Sequence, residues 1–178
     1  AHSVNNDGID SNGTLTINGG YVVASGTNAP DGSLDADFSQ NFVINGGTVI
    51  GIGGVATTPS SSSRQNTVLY GGLTAAKGAT LDILGSDSKA VLSYKLHRTL
   101  TGMTLFVSSP DLAKGSYTVN GDGSKLGEFT VSSTVTTVGE VGGNGGGQQP
   151  GGQPGQPGQP GGQPGGDPGQ QPPAQPNA

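Results

Sequence analysis

The hydrophobic positions of this chain repeat. Thr14 to Gly26 (TLTINGGYVVASG) and Asn41 to Gly53 (NFVINGGTVIGIG) align without gaps, with six of thirteen positions identical. In each copy alternating apolar residues, Leu15 and Ile17 or Phe42 and Ile44, lead into Asn-Gly-Gly. A second apolar stretch follows, Val22 to Ala24 or Val49 and Ile50. The pattern predicts strand, sharp corner, strand. A period in the twenties with an internal corner suits a solenoid coil, which buries its apolar face only by stacking on a neighbour. Two ordinary hairpins are the alternative, because Asn-Gly also closes hairpins. The identity of the copies favours stacking, which sets Ile17 over Ile44 and Asn18 over Asn45, the amides forming a hydrogen-bonded ladder.

Beyond the repeat the pattern changes twice. Residues 54–66 (GVATTPSSSSRQN) are polar and read as a connector leaving the repeat. From Thr67 onward short alternating strands are predicted at 67–70, 80–84, 90–96, 103–107, 116–119 and 128–131. Turn clusters at 85–88 and 121–124 separate some of them, so this part is expected to be a small antiparallel sheet or sandwich covering the open end of the coils. After Val141 there is no aromatic and no aliphatic residue larger than Ala, so disorder is expected. Three Gly-Gln-Pro triplets suggest collagen, but Gly161-Gly162 breaks their register.

The expected organisation is therefore all-β: right-handed parallel β-helix coils over 1–58, an antiparallel β-rich cap over 59–141, and a disordered Gly/Pro/Gln-rich tail over 142–178. Two coils are too few to stand alone. The chain also opens in mid-pattern at Ala1-His2-Ser3-Val4, so further coils are expected upstream.

Composition narrows the function. Hydrophobic residues are 30% of the chain and Gly numbers 35, a mixture that disfavours a helical or α/β enzyme. The net charge of −5 argues against a nucleic-acid partner, which calls for a basic surface. No apolar run reaches the ~18 residues of a membrane span. The absence of cysteine is compatible with an extracellular, secreted or cell-surface protein. Oligomeric state leaves no trace in the sequence.

The informative side chains are five carboxylates: Asp7 and Asp10 in NNDGIDSNG, and Asp31, Asp35 and Asp37 in PDGSLDADF. Both segments precede a repeat copy. Aligning them places Asp7 near Asp31, Asp10 near Asp35 and Asn12 near Asp37, in a region that has no Lys or Arg before Arg64. Stacked about 4.8 Å apart, the carboxylates would repel. Ca²⁺ fits best as the compensating charge, because it takes oxygen ligands from flexible loops. Asn5, Asn6 and Asn12 are candidate supporting ligands. With no Cys and two His far apart in sequence, Zn²⁺ and copper fit poorly. The plain alternative is that Asp and Asn form turns. A second acidic stretch, Asn120 to Ser124 with Glu128, reads as a hairpin turn, because it lacks the spacing of a Ca²⁺ loop.

The segments NNDGIDSNGTLTINGGYVVASGTNAP, NFVINGGTVIGIGG, SSSSRQNTVL and VSSPDLAKGSYTV together resemble the secreted bacterial carbohydrate-binding right-handed β-helix family, over residues 3 to 138. The resemblance implies a pectate-lyase-like fold, a position at the C-terminal end of such a protein, Ca²⁺ on Asp7, Asp10, Asp31, Asp35 and Asp37, and binding of acidic plant polysaccharide such as polygalacturonate. Catalysis is not expected. A lyase needs a Lys or Arg base, and none precedes Arg64; the motifs of β-helix glycosidases and of serine hydrolases are missing. Without Trp, Tyr21 is the candidate ring for stacking on a sugar, and Asn12 a candidate polar contact. The rival readings are a structural stalk or adhesin segment, and a lyase remnant.

Overall fold

The computed structural model describes residues 1, 2 and 6–141; the expected disorder of 142–178 and the role considered for Asn5 lie outside the described residues. The described residues form thirteen strands and no α-helix. They are β1 (Ile9–Ser11), β2 (Leu15–Ile17), β3 (Tyr21–Ser25), β4 (Leu34–Ala36), β5 (Phe42–Ile44), β6 (Thr48–Gly53), β7 (Thr67–Ala75), β8 (Thr80–Leu84), β9 (Ala90–Lys95), β10 (Leu100–Ser108), β11 (Gly115–Gly121), β12 (Ser124–Val131) and β13 (Val135–Val138).

The two repeat copies lie side by side in parallel register. β1 pairs with β4, β2 with β5 and β3 with β6. Ile17 stands opposite Ile44, and Asn45 Nδ2 donates to Asn18 Oδ1 at 2.8 Å, which is the amide ladder expected at the corner. Gly47 has φ +91°, and a Cβ on it would lie 2.6 Å from Gly19 C and Gly20 O of the other copy. The second glycine of Asn-Gly-Gly thus serves both the turn and the close backbone approach. Within a copy the strands flanking the corner do not pair with each other, which rules out the hairpin alternative.

The right-handed parallel β-helix expected for 1–58 is nevertheless not formed. The β1–β4 and β2–β5 ladders stop at two strands each, and β3–β6 runs into a mixed five-stranded sheet of order β13-β7-β10-β6-β3. In that sheet β10 lies antiparallel to both β6 and β7. Among the described residues no sheet closes into coils. The physical reason is the missing third copy: past Gly53 the repeat ends, and β10 takes the free edge of β6. Segment 54–66 does not leave the repeat as expected; it runs along the edges of β4 and β5. Thr57 N donates to Leu34 O at 2.8 Å, Ser60 N to Phe42 O at 2.7 Å and Arg64 N to Ile44 O at 2.9 Å. These bonds occupy edge carbonyls that would otherwise template pairing with another chain.

The five-stranded sheet is a central layer buried on both faces. Val49, Leu69 and Phe106 point into a smaller core with Ile17, Leu34, Phe42 and Ile44. Their neighbours Ile50, Val68, Leu105 and Val107 point into a larger core, which Leu81, Ile83, Tyr117, Val119 and Phe129 complete. The opposing layer is the antiparallel sheet β12-β11-β8-β9. Double burial accounts for the unbroken apolar character of β6 and β10, since a strand covered on both sides loses the polar alternation of a half-exposed one. Phe42 and Phe106, both fully buried, stack at 5.8 Å between ring centroids and join the repeat to the later strands. The boundary at residue 58 therefore marks a change of pattern, while the central sheet draws strands from both sides of it.

All six strands expected after Thr67 are present, several of them longer, and the turn expected at Asn120 to Ser124 closes a hairpin. Asp122 and Gly123 have φ +47° and +79° between β11 and β12, as a tight two-residue turn requires. Asp122 Oδ1 accepts from Thr80 N at 2.9 Å, and Lys125 Nζ meets Glu128 Oε2 at 2.6 Å. β13 lies outside the expected set of strands; it pairs in parallel with β7.

Candidate functional site

The acidic segments ahead of each copy fold against one another. Gly8 N donates to Gly32 O at 2.9 Å and Ile9 N to Ser33 O at 3.0 Å, and the ladder continues with Ile9 opposite Leu34, Asp10 opposite Asp35 and Ser11 opposite Ala36. Leu34 and Ala36 are buried on the inner face, so alternation turns Asp35 outward, with Asp10 beside it on the neighbouring strand. The space beneath is filled by backbone. A Cβ on Gly26 would sit 1.5 Å from Gly32 O, and one on Gly32 would sit 1.9 Å from Val55 O, so three chain segments pack there without side chains between them.

Three of the carboxylates have a defined anchor. Asp7 Oδ1 accepts from Gly32 N. Asp31 Oδ2 accepts from Thr27 Oγ1 at 3.1 Å, and Asp35 Oδ1 from Thr57 Oγ1 at 2.7 Å. Burial pushes the Asp7 carboxyl above its ordinary range; the Gly32 N–H opposes this, and the charges of Asp35, Asp31 and Asp10 add to the rise. The expected pairs, Asp7 with Asp31 and Asp10 with Asp35, are thus brought into one electrostatic neighbourhood.

Asp37 and Asn12 are not part of it. The ladder ends at Ser11–Ala36, and both residues lie one step beyond, exposed to solvent. Asp37 is not among the charges acting on Asp7. Asn6 is exposed. Tyr21 opens β3 with 63% of its surface accessible, at the far end of that strand from Ser25 and the acidic segments.

Among the described residues no three of His, Asp and Glu converge into a ready-made metal cage. The ladder offers a carboxylate pair, with Asp7 and Asp31 adjacent and hard oxygens as donors. Asp35 keeps one oxygen outside its bond to Thr57, and Asp31 one outside its bond to Thr27. Carboxylate oxygens are the ligand type that hard cations such as Ca²⁺ take, in preference to soft metals.

The two histidines, far apart in sequence, meet in space: the rings of His2 and His97 have centroids 4.2 Å apart. His97 Nδ1 is 2.8 Å from Tyr94 Oη. Nothing in the sequence around either histidine signals the contact, because it depends on β3 and β9 forming edges of facing sheets.

Comparison with protein-family models, with characterised proteins and with solved structures gave no significant match to this chain.

Proposed function

We propose that this chain is a non-catalytic, extracellular carbohydrate-binding protein that holds an acidic polysaccharide, of the polygalacturonate type, through Ca²⁺ at Asp7, Asp10, Asp31 and Asp35. The observation that carries the reading is the register of Asp10 on Asp35, with Asp7 and Asp31 just before. Four like charges in one neighbourhood, with no Lys or Arg in the chain before Arg64, create a demand for a cation. A bound Ca²⁺ neutralises them and lends its open positions to a uronate carboxylate. The chain's own part is to fix the carboxylates: Thr57 and Thr27 each hold one oxygen, and the Gly32 N–H holds Asp7. Asp37 and Asn12 flank the ladder and serve at most its solvent edge.

The same cation could instead only stiffen a surface stalk. Native affinity electrophoresis separates the two readings. Polygalacturonate in the gel should retard the full chain when Ca²⁺ is present, and clearly less when chelator is added. Equal mobility with and without polysaccharide, in the presence of Ca²⁺, would defeat the binding reading and leave the stalk.

A further inference from the structure

The larger core is enclosed by two sheets, whose outermost named strands on one side are β3 of the five-stranded sheet, bordered by Ala1 and His2 at its Ser25 end, and β9 of the four-stranded one. Val23 of β3 and Tyr94 of β9 both pack against that core. Strand alternation puts Tyr21 on the same side of β3 as Val23, so Tyr21 and Tyr94 face one seam from opposite sheets. The Tyr94 hydroxyl is pushed above its ordinary range first by burial and then by the charge of Tyr21.

The seam continues past β9. His97 lies edge-on to Tyr94, with ring centroids 6.3 Å apart, and its other neighbour is the His2 ring at 4.2 Å. His2 is bridged to Ser25, at the far end of β3 from Tyr21. Arg98 spans the gap, Nη1 donating to Gly26 O at 2.6 Å. Four rings and a guanidinium thus line one border of the sandwich.

Its charge is the reverse of the acidic ladder's. Burial holds the His97 imidazole below its ordinary value, and His2, Arg98 and Lys77 add positive charge in the same direction, with no carboxylate among the groups acting on it. The ion pairs among the described residues, Lys89 with Asp87 and Lys125 with Glu128, lie elsewhere. Arg98 therefore keeps the rest of its planar fork for an acceptor from outside, a geometry suited to a carboxylate. The exposed Tyr21 ring supplies a flat apolar face with a polar rim, the surface a pyranose ring rests on.

We propose that this seam binds an acidic oligosaccharide directly, without metal, one pyranose face resting on Tyr21 and the carboxylate of a unit further along the chain held by Arg98 with His2 and His97 at the other end of β3. This rests on the acidic-polysaccharide reading above but uses different residues and no cation. A polyuronate would then be held at two places, one Ca²⁺-bridged and one charge-paired.

The test is a titration of the full chain with trigalacturonate in excess EDTA, followed by the imidazole Hε1 resonances of His2 and His97 and by calorimetry. Expected are shifts in both resonances, an upward move of the His97 titration midpoint, and affinity at least tenfold weaker for the methyl-esterified trimer. Tyr21→Ala and Arg98→Gln should each weaken binding tenfold or more. Tyr21→Ala is the safer variant, because its side chain is largely exposed and its strand pairs through backbone. Binding that needs Ca²⁺, or that neither substitution weakens, overturns the seam while leaving the acidic ladder standing. Retardation that chelator weakens without abolishing, together with shifts persisting in EDTA, would show both sites at work. No binding under either condition defeats the seam and the ladder together.

Discussion

The repeat at the start of the chain and the strands that follow it reach a β structure by different physical routes. The repeat pairs in parallel, copy on copy, and up to Ser60 the chain contains five of its twelve carboxylates and none of its seven Lys and Arg. The later strands pair mostly antiparallel through tight turns, and the seven cations all fall after Ser60 together with the other seven acids. The whole net charge of −5 thus belongs to the repeat. Parallel register stacks like residues on like, so any charged position in a repeat becomes a column of one sign. Antiparallel hairpins have no such constraint and leave opposite charges free to meet, as Lys125 and Glu128 do at 2.6 Å, three residues apart along β12. Unbalanced charge in a stacked repeat points to an external cation; balanced charge in a hairpin points to none.

The sharpest way to break the comparison is to ask whether the two regions fold separately. Phe106 of the later strands is fully buried against Phe42 of the repeat, inside a sheet that draws on both. Phe106→Ala should cost about 3–5 kcal/mol. Urea unfolding followed by far-UV circular dichroism and by tyrosine fluorescence should then move as one transition. Two separated transitions would show independent folding and dissolve the shared central layer.

A smaller effect probes the stacking of the copies. Asn45→Ala removes the 2.8 Å bond to Asn18 and should lower stability by about 1 kcal/mol, read from the urea midpoint. The smallest is a pH effect with opposite signs in the two regions. The Asp7 carboxyl is raised in the folded state by burial and by its acidic neighbours, so the folded chain binds that proton more readily than the unfolded chain. Its ionisation therefore weakens the fold at neutral pH, and the penalty is relieved as pH falls through the raised value. Asp87 and Glu128 are lowered, by hydrogen bonds from Lys89 and Lys125 respectively, and their contribution is lost as pH falls. Asp7→Asn should accordingly be more stable than the parent at pH 7 in low salt, with the difference shrinking towards pH 4. A difference that grows on acidification would mean the ladder does not strain the fold.

Much of this was legible in the residues. The constant offset between the copies identified the partners Ile17 with Ile44 and Asn18 with Asn45, because a repeat that pairs with itself in register leaves its spacing in the sequence. The Asp10–Asp35 alignment rests on a different signal, the match of Asp-Gly-Ile-Asp to Asp-Gly-Ser-Leu-Asp across a one-residue gap, since its offset is not that of the Ile17–Ile44 pair. What failed was the extension from two copies to a solenoid. Local pattern could not show that β10, which begins only at Leu100, would occupy the edge of β6 in the opposite direction. Nor could it show that 54–66 would hydrogen-bond back to β4 and β5, since those bonds use irregular backbone. The contact of His2 with His97 was invisible for a related reason: it is made by facing edges of two sheets and carries no motif.

The central claim, that the acidic ladder is a cation site, is tested most directly by thermal melting of the full chain in Ca²⁺ and in chelator. A ligand that binds the folded form alone at a hundredfold excess over Kd raises stability by about 2–3 kcal/mol. The parent chain should show that gain, Asp35→Ala should lose most of it, and Asp122→Ala, in the hairpin turn that anchors Thr80, should keep it despite a lower baseline. Identical melting of the parent chain in Ca²⁺ and in chelator would contradict the account and reduce the carboxylates to turn formers.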